Sequence, residues 1–273
     1  MTGTTLPAKR STAVSPYRRA RHRLRTYVSE HPAGYLAFAR RKYTTHGVEV
    51  IGPRTELVID GFTRSATTFA VYAFQLAQDR PVQLAHHLHA PAQLIEAARR
   101  GIPAVALIRN PQGAILSQLI REPGVALRDA LFAYSRFYEH LMPYRQRLVI
   151  GEFKQVTEDF GAVIRQLNER FGTTFAEFAH SDANVRDCFE LCELRATLYP
   201  GLLGFESGLV TRDQLRRELQ SARGATLADE REAWFPSAGR KGAKEALRDQ
   251  WQQPSLARLR DRAEGVYQEF LSG

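Results

Sequence analysis

Short apolar runs alternate with helix-type segments through the middle of the chain. Leu57-Val58-Ile59 is a continuous apolar run ending at Gly61, as expected for a strand buried on both faces. Small and hydroxylated residues follow, and 69–78 (FAVYAFQLAQ) then reads as an apolar helix stopped by Asp79-Arg80-Pro81. Residues 82–85 predict a second strand. Pro91 sits at a favoured first-turn position and Gly101 at a favoured stop, which predicts a helix between them. Residues 104–108 (AVALI) are again continuously apolar. Residues 147–151 (RLVIG) give a fourth strand, with an amphipathic helix over 159–171 behind it. Strands and helices in this alternation predict a parallel sheet with helical crossovers. The fold class is therefore α/β, a three-layer arrangement with a central, mostly parallel sheet and helices on both faces. Charged helix formers over 182–235 and an amphipathic segment over 255–271 predict a helical C-terminal third.

Composition narrows the class without changing it. The 273 residues can build one large core, and 44% hydrophobic with 25% charged residues is ordinary for a globular chain. No apolar run approaches the roughly 20 residues that span a bilayer. The N-terminus also lacks the apolar core of a signal peptide, so a cytoplasmic protein is expected. Cys188 and Cys192, spaced i, i+4, read as two buried thiols on one helix face.

Charge divides the chain. Net charge is +9, and residues 1–46 hold ten Lys or Arg against one acid, Glu30. The other 28 basic residues are matched by 28 acids. The expected organisation is a basic leader over 1–46 and a single domain over 47–273. The leader's first fifteen residues are polar and read as disordered, and 17–43 reads as helix broken near His31-Pro32. A nucleic-acid-binding module carries its positive excess on the folded domain, so no nucleic-acid partner is expected. The arginine cluster is read first as a solvated helix face, with contact to a membrane surface as the alternative.

The turn Gly61-Phe62-Thr63-Arg64-Ser65-Ala66-Thr67-Thr68 joins a strand to a helix. Backbone N–H groups converge in such a turn, and the helix N-terminus adds partial positive charge, so an anion fits. The spacing follows the phosphate-binding G-x-x-x-x-G-K-[ST] loop, but Ala66 stands at the second glycine and Thr67 at the lysine. Losing that lysine disfavours a nucleotide kinase or other phosphotransferase. Ala66 is tolerable at negative φ and damaging at positive φ. A plain turn capped by Ser65 is the simpler alternative. Farther on, Arg109-Asn110-Pro111 follows the 104–108 strand, and Ser117 lies eight residues after Arg109. Arg109 would then sit at the carboxyl end of a strand, where open α/β sheets bind ligands. A guanidinium and a hydroxyl suit a terminal phosphate.

These two stretches carry a family resemblance. GFTRSATTF resembles the 5′-phosphosulfate loop of sulfotransferases, and LIRNPQGAILS is similar to their 3′-phosphate motif. The resemblance covers about 55–175 and implies a P-loop-like fold that uses 3′-phosphoadenosine 5′-phosphosulfate as co-substrate, with no metal. It implies that Arg64, Ser65, Ala66, Thr67 and Thr68 hold the 5′ side of the nucleotide, with Arg64 also stabilising charge on the sulfuryl group. Arg109 and Ser117 would hold the 3′-phosphate.

In His86-His87-Leu88-His89-Ala90-Pro91, the His89-Ala90-Pro91 element matches the family's His-x-Pro, which implies His89 as general base, with His87 as second choice. Three histidines within four residues cannot all converge on one ion, so no zinc site is expected. Phe153 falls near a family tyrosine and is read first as buried core, with stacking on the adenine as the alternative the resemblance implies. Arg240-Lys241-Gly242 resembles the element that closes over the 3′-phosphate, although an exposed helix start would look the same. The implied activity is sulfuryl transfer to a small-molecule, glycan or lipid acceptor through a hydroxyl or amine. Residues 182–235 are expected on the acceptor side. A non-catalytic, sulfotransferase-like nucleotide-binding protein is the further alternative.

Overall fold

The computed structural model describes residues 14–43, 47–195, 200–222 and 238–273. Two helices open it, α1 (Pro16–Val28) and α2 (Pro32–Lys42), each with proline in its first turn. An alternating unit follows: β1 (Leu57–Gly61), α3 (Thr67–Ala77), β2 (Leu84–His86), α4 (Pro91–Arg100), β3 (Ala104–Ile108) and α5 (Pro111–Arg121). Then come α6 (Leu127–Leu141), β4 (Val149–Glu152), α7 (Phe153–Glu158) and α8 (Phe160–Phe171). The C-terminal third is helical: α9 (Asp182–Leu194), α10 (Pro200–Glu206), α11 (Arg212–Ala222), α12 (Ala238–Trp251) and α13 (Ala257–Ser272).

The strands lie in the order β2-β1-β3-β4, and every pairing is parallel. Side chains alternate across the sheet and build a core on each face. Val58, Ala104, Ala106 and Ile108 join α2, α4, α5, α6 and α13 on one side. Leu57, Ile59, Val105 and Leu107 join α3, α8, α9 and α10 on the other. The α/β, three-layer expectation therefore holds. Gly101 ends α4 at φ 67°, a left-handed position that glycine takes without penalty. The thiols of Cys188 and Cys192 are buried on α9 and free, and burial pushes the Cys192 thiol well up.

Three details differ from the sequence expectation. The second strand is Leu84–His86, shifted from 82–85, because its pairing with β1 begins at Leu57↔Leu84. The fourth begins at Val149, since Met142–Arg147 coils into a 3₁₀ turn. The pattern reading also passed over α6, which packs on α1, α4, α5 and α13.

The leader helices are tied to the body. Arg19 Nε and Arg23 Nε each donate to the buried Asp129 carboxylate of α6 at 2.9 Å. Arg136 of the same helix reaches the buried Glu30 at 2.5 and 2.8 Å. Residues 1–13, expected to be disordered, lie outside the described residues. No described helix is long and apolar enough to cross a membrane.

Candidate active site

The loop after β1 owes its shape to close packing and to two left-handed residues. A Cβ at Gly61 would sit 2.2 Å from the Leu107 carbonyl oxygen, so only glycine lets β1 approach β3 there. Phe62 turns into the core against Tyr134 and Phe137, and its N–H donates to Tyr138 Oη at 3.3 Å. Tyr138 in turn donates to the Leu107 carbonyl at 2.8 Å, which pins the loop base to α6 and β3 together. Arg64 and Ala66 then both adopt φ 70°. Ala66, rather than Ser65, is the N-cap of α3, and it offers no side-chain acceptor to the first-turn amides. Those amides and the helix dipole face the loop opening. Ser65 is fully buried beside Tyr138, and the buried Thr67 Oγ1 meets no partner among the described residues.

The second motif faces the first. Arg109 leaves the carboxyl end of β3, and its Nη1 donates to the Arg64 carbonyl at 3.1 Å. Arg64 Nε donates to Ser117 Oγ at 3.0 Å. A hydroxyl can accept such a bond and donate its own proton at the same time. Asn110 caps α5 by accepting the Gly113 N–H at 2.7 Å. Gly113 itself leaves room for Arg109, since a Cβ there would stand 2.9 Å from its Nε. Tyr134 donates to the Arg109 carbonyl at 2.6 Å. The guanidinium carbon lies 3.8 Å from the centre of the Phe153 ring, a cation–π stack. One face of Phe153 is thus taken by Arg109, and the half-buried ring is neither free on both faces nor part of the central core.

The histidines separate into two environments. His89 has φ 51°, and its backbone N–H donates to Asp60 Oδ2 at 3.1 Å and Oδ1 at 3.3 Å. Its Nδ1 lies 2.9 Å from the Gly61 carbonyl oxygen, which can only accept, so Nδ1 carries a proton and in the neutral ring Nε2 is the nitrogen with the lone pair. Its side chain is 25% exposed. His87, by contrast, is buried, with Nδ1 2.7 Å from His86 Nδ1 and Nε2 3.0 Å from Thr68 Oγ1. Thr68 therefore spends its hydroxyl on His87. Burial, aided by the Arg195 charge, drives the His87 pKa well down and holds His86 at about 3, so both imidazoles are neutral.

Glu206 of α10 completes this buried group in place of His89. His86, His87 and Glu206 offer ligand atoms within 4.8 Å of one another. Arg195 already supplies the cation, since its Nε donates to Glu206 Oε1 at 2.6 Å. Tyr72 donates to the same carboxylate oxygen.

A narrow cleft of about 90 Å³ opens beside His89, lined by Thr63 and Phe62 of the loop, His22 of α1, Gln118 of α5 and Phe137 of α6. Its described lining comes from the leader, from the loops after β1 and β2 with the start of α4, and from α5–α6, with no described residue of 182–222. Residues 196–199 and 223–235 of the expected acceptor side lie outside the described ones. A larger cleft of about 600 Å³ along β4 contains none of the candidate residues. Arg240, Lys241 and Gly242 fall in the first turn of α12, which packs against α5. The Arg240 and Lys241 side chains lie outside the description.

Asp60, Tyr134 and Tyr138 escaped the sequence reading. Asp60 is fully buried and also accepts from the Gly61 N–H and Gln93 Nε2 at 2.9 and 3.0 Å. An acid inside an apolar strand is rare unless it is paired, and that was the available signal.

No family profile and no curated protein matches the sequence. Among solved structures, the crystal structure of mouse sulfotransferase SULT7A1 complexed with PAP is similar over 85% of this chain and 94% of that one. The identity is 9% and the TM-score 0.38. A likeness that weak carries no functional argument, and the α/β class rests on this chain's own sheet and its topology.

Proposed function

We propose that this chain is a sulfotransferase that moves a sulfuryl group from 3′-phosphoadenosine 5′-phosphosulfate to a hydroxyl or amine. One observation carries the reading. The anion-type loop and the Arg109–Ser117 pair, 45 residues apart between Arg64 and Arg109, meet through two hydrogen bonds at the carboxyl edge of the sheet. Two anion-binding clusters at one edge suit a nucleotide charged at both its 5′ and 3′ positions. The fit is chemical as well. First-turn amides without a side-chain acceptor, the buried Thr67 hydroxyl and Arg64 offer donors and positive charge for the 5′ side, and Arg109 with Ser117 offers them for the 3′-phosphate.

In the proposed reaction the acceptor oxygen or nitrogen attacks sulfur in line. Its proton passes to His89 Nε2, the new O–S or N–S bond forms, and the S–O bond to the nucleotide breaks. The leaving group is adenosine 3′,5′-bisphosphate. Arg64 would offset the charge on the sulfuryl and bridging oxygens, and the site works by positioning and fixed charge. His89 is favoured over His87 because both nitrogens of the buried His87 ring are held by protein groups. A nucleotide kinase is disfavoured because Thr67, not lysine, follows Ala66.

Calorimetric titration with adenosine 3′,5′-bisphosphate, with ATP as control, tests the proposal. Saturable binding of the bisphosphate with much weaker binding of ATP is expected. Equal affinity for ATP, or no binding of either, would overturn it.

A further inference from the structure

We infer that the outer face of α1 seats on the surface of an anionic lipid bilayer. A helix that packs on a protein normally turns its apolar stripe inward. In α1 the arrangement is reversed. Arg19 and Arg23 point to the body and bind Asp129, and the helix buries none of its own residues. Tyr17, Arg21, Leu24 and Val28, spaced i, i+4, i+7 and i+11, form the opposite stripe. Tyr17 is 74% exposed, Leu24 64% and Val28 42%. Arg21, exposed, lies within the stripe, exposed Arg18 borders it, and the helix contains no acid, whereas Arg25 turns back to line the cleft beside His89.

The pattern is regional. Among the described residues, five of the seven large hydrophobic side chains left exposed are Tyr17, Leu24, Tyr27, Val28 and Phe38. They fall in the same 46-residue stretch that carries the whole +9 charge. An exposed apolar row bordered by arginines is the arrangement of a helix lying in a bilayer interface. There the apolar side chains enter the headgroup boundary and the cations meet anionic lipid.

Other occupants fit less well. A second copy docked through the same face would press Arg18 and Arg21 against their own counterparts. An acidic protein would supply the charge, but the row is convex and one side chain wide, which suits insertion among headgroups better than shape-matched contact.

Vesicle flotation of the full chain tests this seat. Binding is expected to equimolar phosphatidylcholine–phosphatidylserine vesicles and not to phosphatidylcholine alone. Leu24→Ser/Val28→Ser should cut the partition coefficient by about tenfold or more, since the headgroup boundary covers each aliphatic side chain only in part. Arg21→Glu should weaken binding on its own. The substituted side chains are exposed, so thermal melts of these variants should match the parent. Failure to float with the mixed vesicles would overturn the inference. So would binding that survives Leu24→Ser/Val28→Ser, which would leave charge alone as the cause. A dimer in sedimentation that this double variant dissolves would overturn it as well, because the face would then belong to a second copy. Bisphosphate binding is measured separately, so neither result decides the other.

Discussion

Asp60 holds His89 in place through its backbone, with the His89 N–H shared between both carboxylate oxygens at 3.1 and 3.3 Å. The same carboxylate accepts from Gly61 and Gln93, and its Oδ1 lies 3.4 Å from the His89 ring nitrogen. Three donors thus converge on one buried acid, which fixes His89 at φ 51° with Nδ1 directed to the Gly61 carbonyl. Asp60 is a positioning residue in this arrangement, since no acceptor need touch it.

Asp60→Asn replaces one acceptor oxygen with a donor that faces other donors. Leaving a buried donor unmet costs about 1–3 kcal/mol. A urea melt should show that loss. Turnover with any accepted substrate should fall while bisphosphate affinity stays close to the parent. His89→Ala should lower turnover by roughly 10²–10⁴, the usual worth of a general base, again with the bisphosphate still bound. Equal turnover in His89→Ala would move the base to another group.

Much of this framework was legible in the residues, and the exceptions have a common cause. Continuous apolar runs marked β1 and β3 because parallel strands are buried on both faces. Pro91 and Gly101 marked α4 because each acts through local backbone geometry. Arg64, Arg109 and Ser117 could be named together by motif spacing, and folding brings them into contact. What could not be read is tertiary. Leu127, Ala130, Leu131, Tyr134, Tyr138 and Leu141 repeat at helical spacing, yet nothing local says that Tyr138 will brace the loop at Phe62. The split of His87 from His89 depends likewise on Thr68 and Asp60, which arrive from the first turn of α3 and from β1.

Ala66 carries a backbone conformation that suits glycine. At φ 70° and ψ 23° its Cβ crowds the following carbonyl, a penalty of roughly 1–2 kcal/mol for an L residue. Ala66→Gly should remove that penalty, less the part of it returned as extra freedom of the unfolded chain. The net expectation is about 1 kcal/mol of added stability, read as a higher urea midpoint with unchanged slope. Ala66→Val should destabilise by more. No gain in Ala66→Gly would mean that the loop relaxes out of the left-handed region.

Arg109 should be needed for its shape as well as its charge. Arg109→Ala removes a charged partner from the proposed 3′-phosphate position and should weaken bisphosphate binding by about 1–3 kcal/mol. Arg109→Lys keeps the charge but loses the planar face that lies 3.8 Å from the Phe153 ring centre and the fork that also reaches the Arg64 carbonyl. Its affinity should fall between the two. Phe153→Leu, which removes only the stacking platform, should weaken binding in the same direction and by less. An Arg109→Lys variant that binds like the parent would reduce the role of Arg109 to a point charge.

The buried pair His86 and His87 makes stability depend on pH in a definite direction. Burial, with the Arg195 charge behind it, depresses both pKa values below that of an unfolded histidine, to about 3 for His86. Between an unfolded pKa of about 6.5 and the folded value, the unfolded chain binds more protons than the folded one, so acid favours unfolding. Stability from this source is fully present above about pH 6.5 and is lost as pH falls toward about 3. The slope is roughly 1.4 kcal/mol per pH unit for each imidazole that must stay neutral. Urea midpoints followed from neutral pH into that window should decline before the carboxylates begin to titrate at about 4. His87→Gln keeps a polar group beside Thr68 and removes one titrating ring, so its decline should be shallower. A parent protein whose stability stays flat down to about pH 5 would mean that water or a relaxed packing lets these rings take up protons in the folded state.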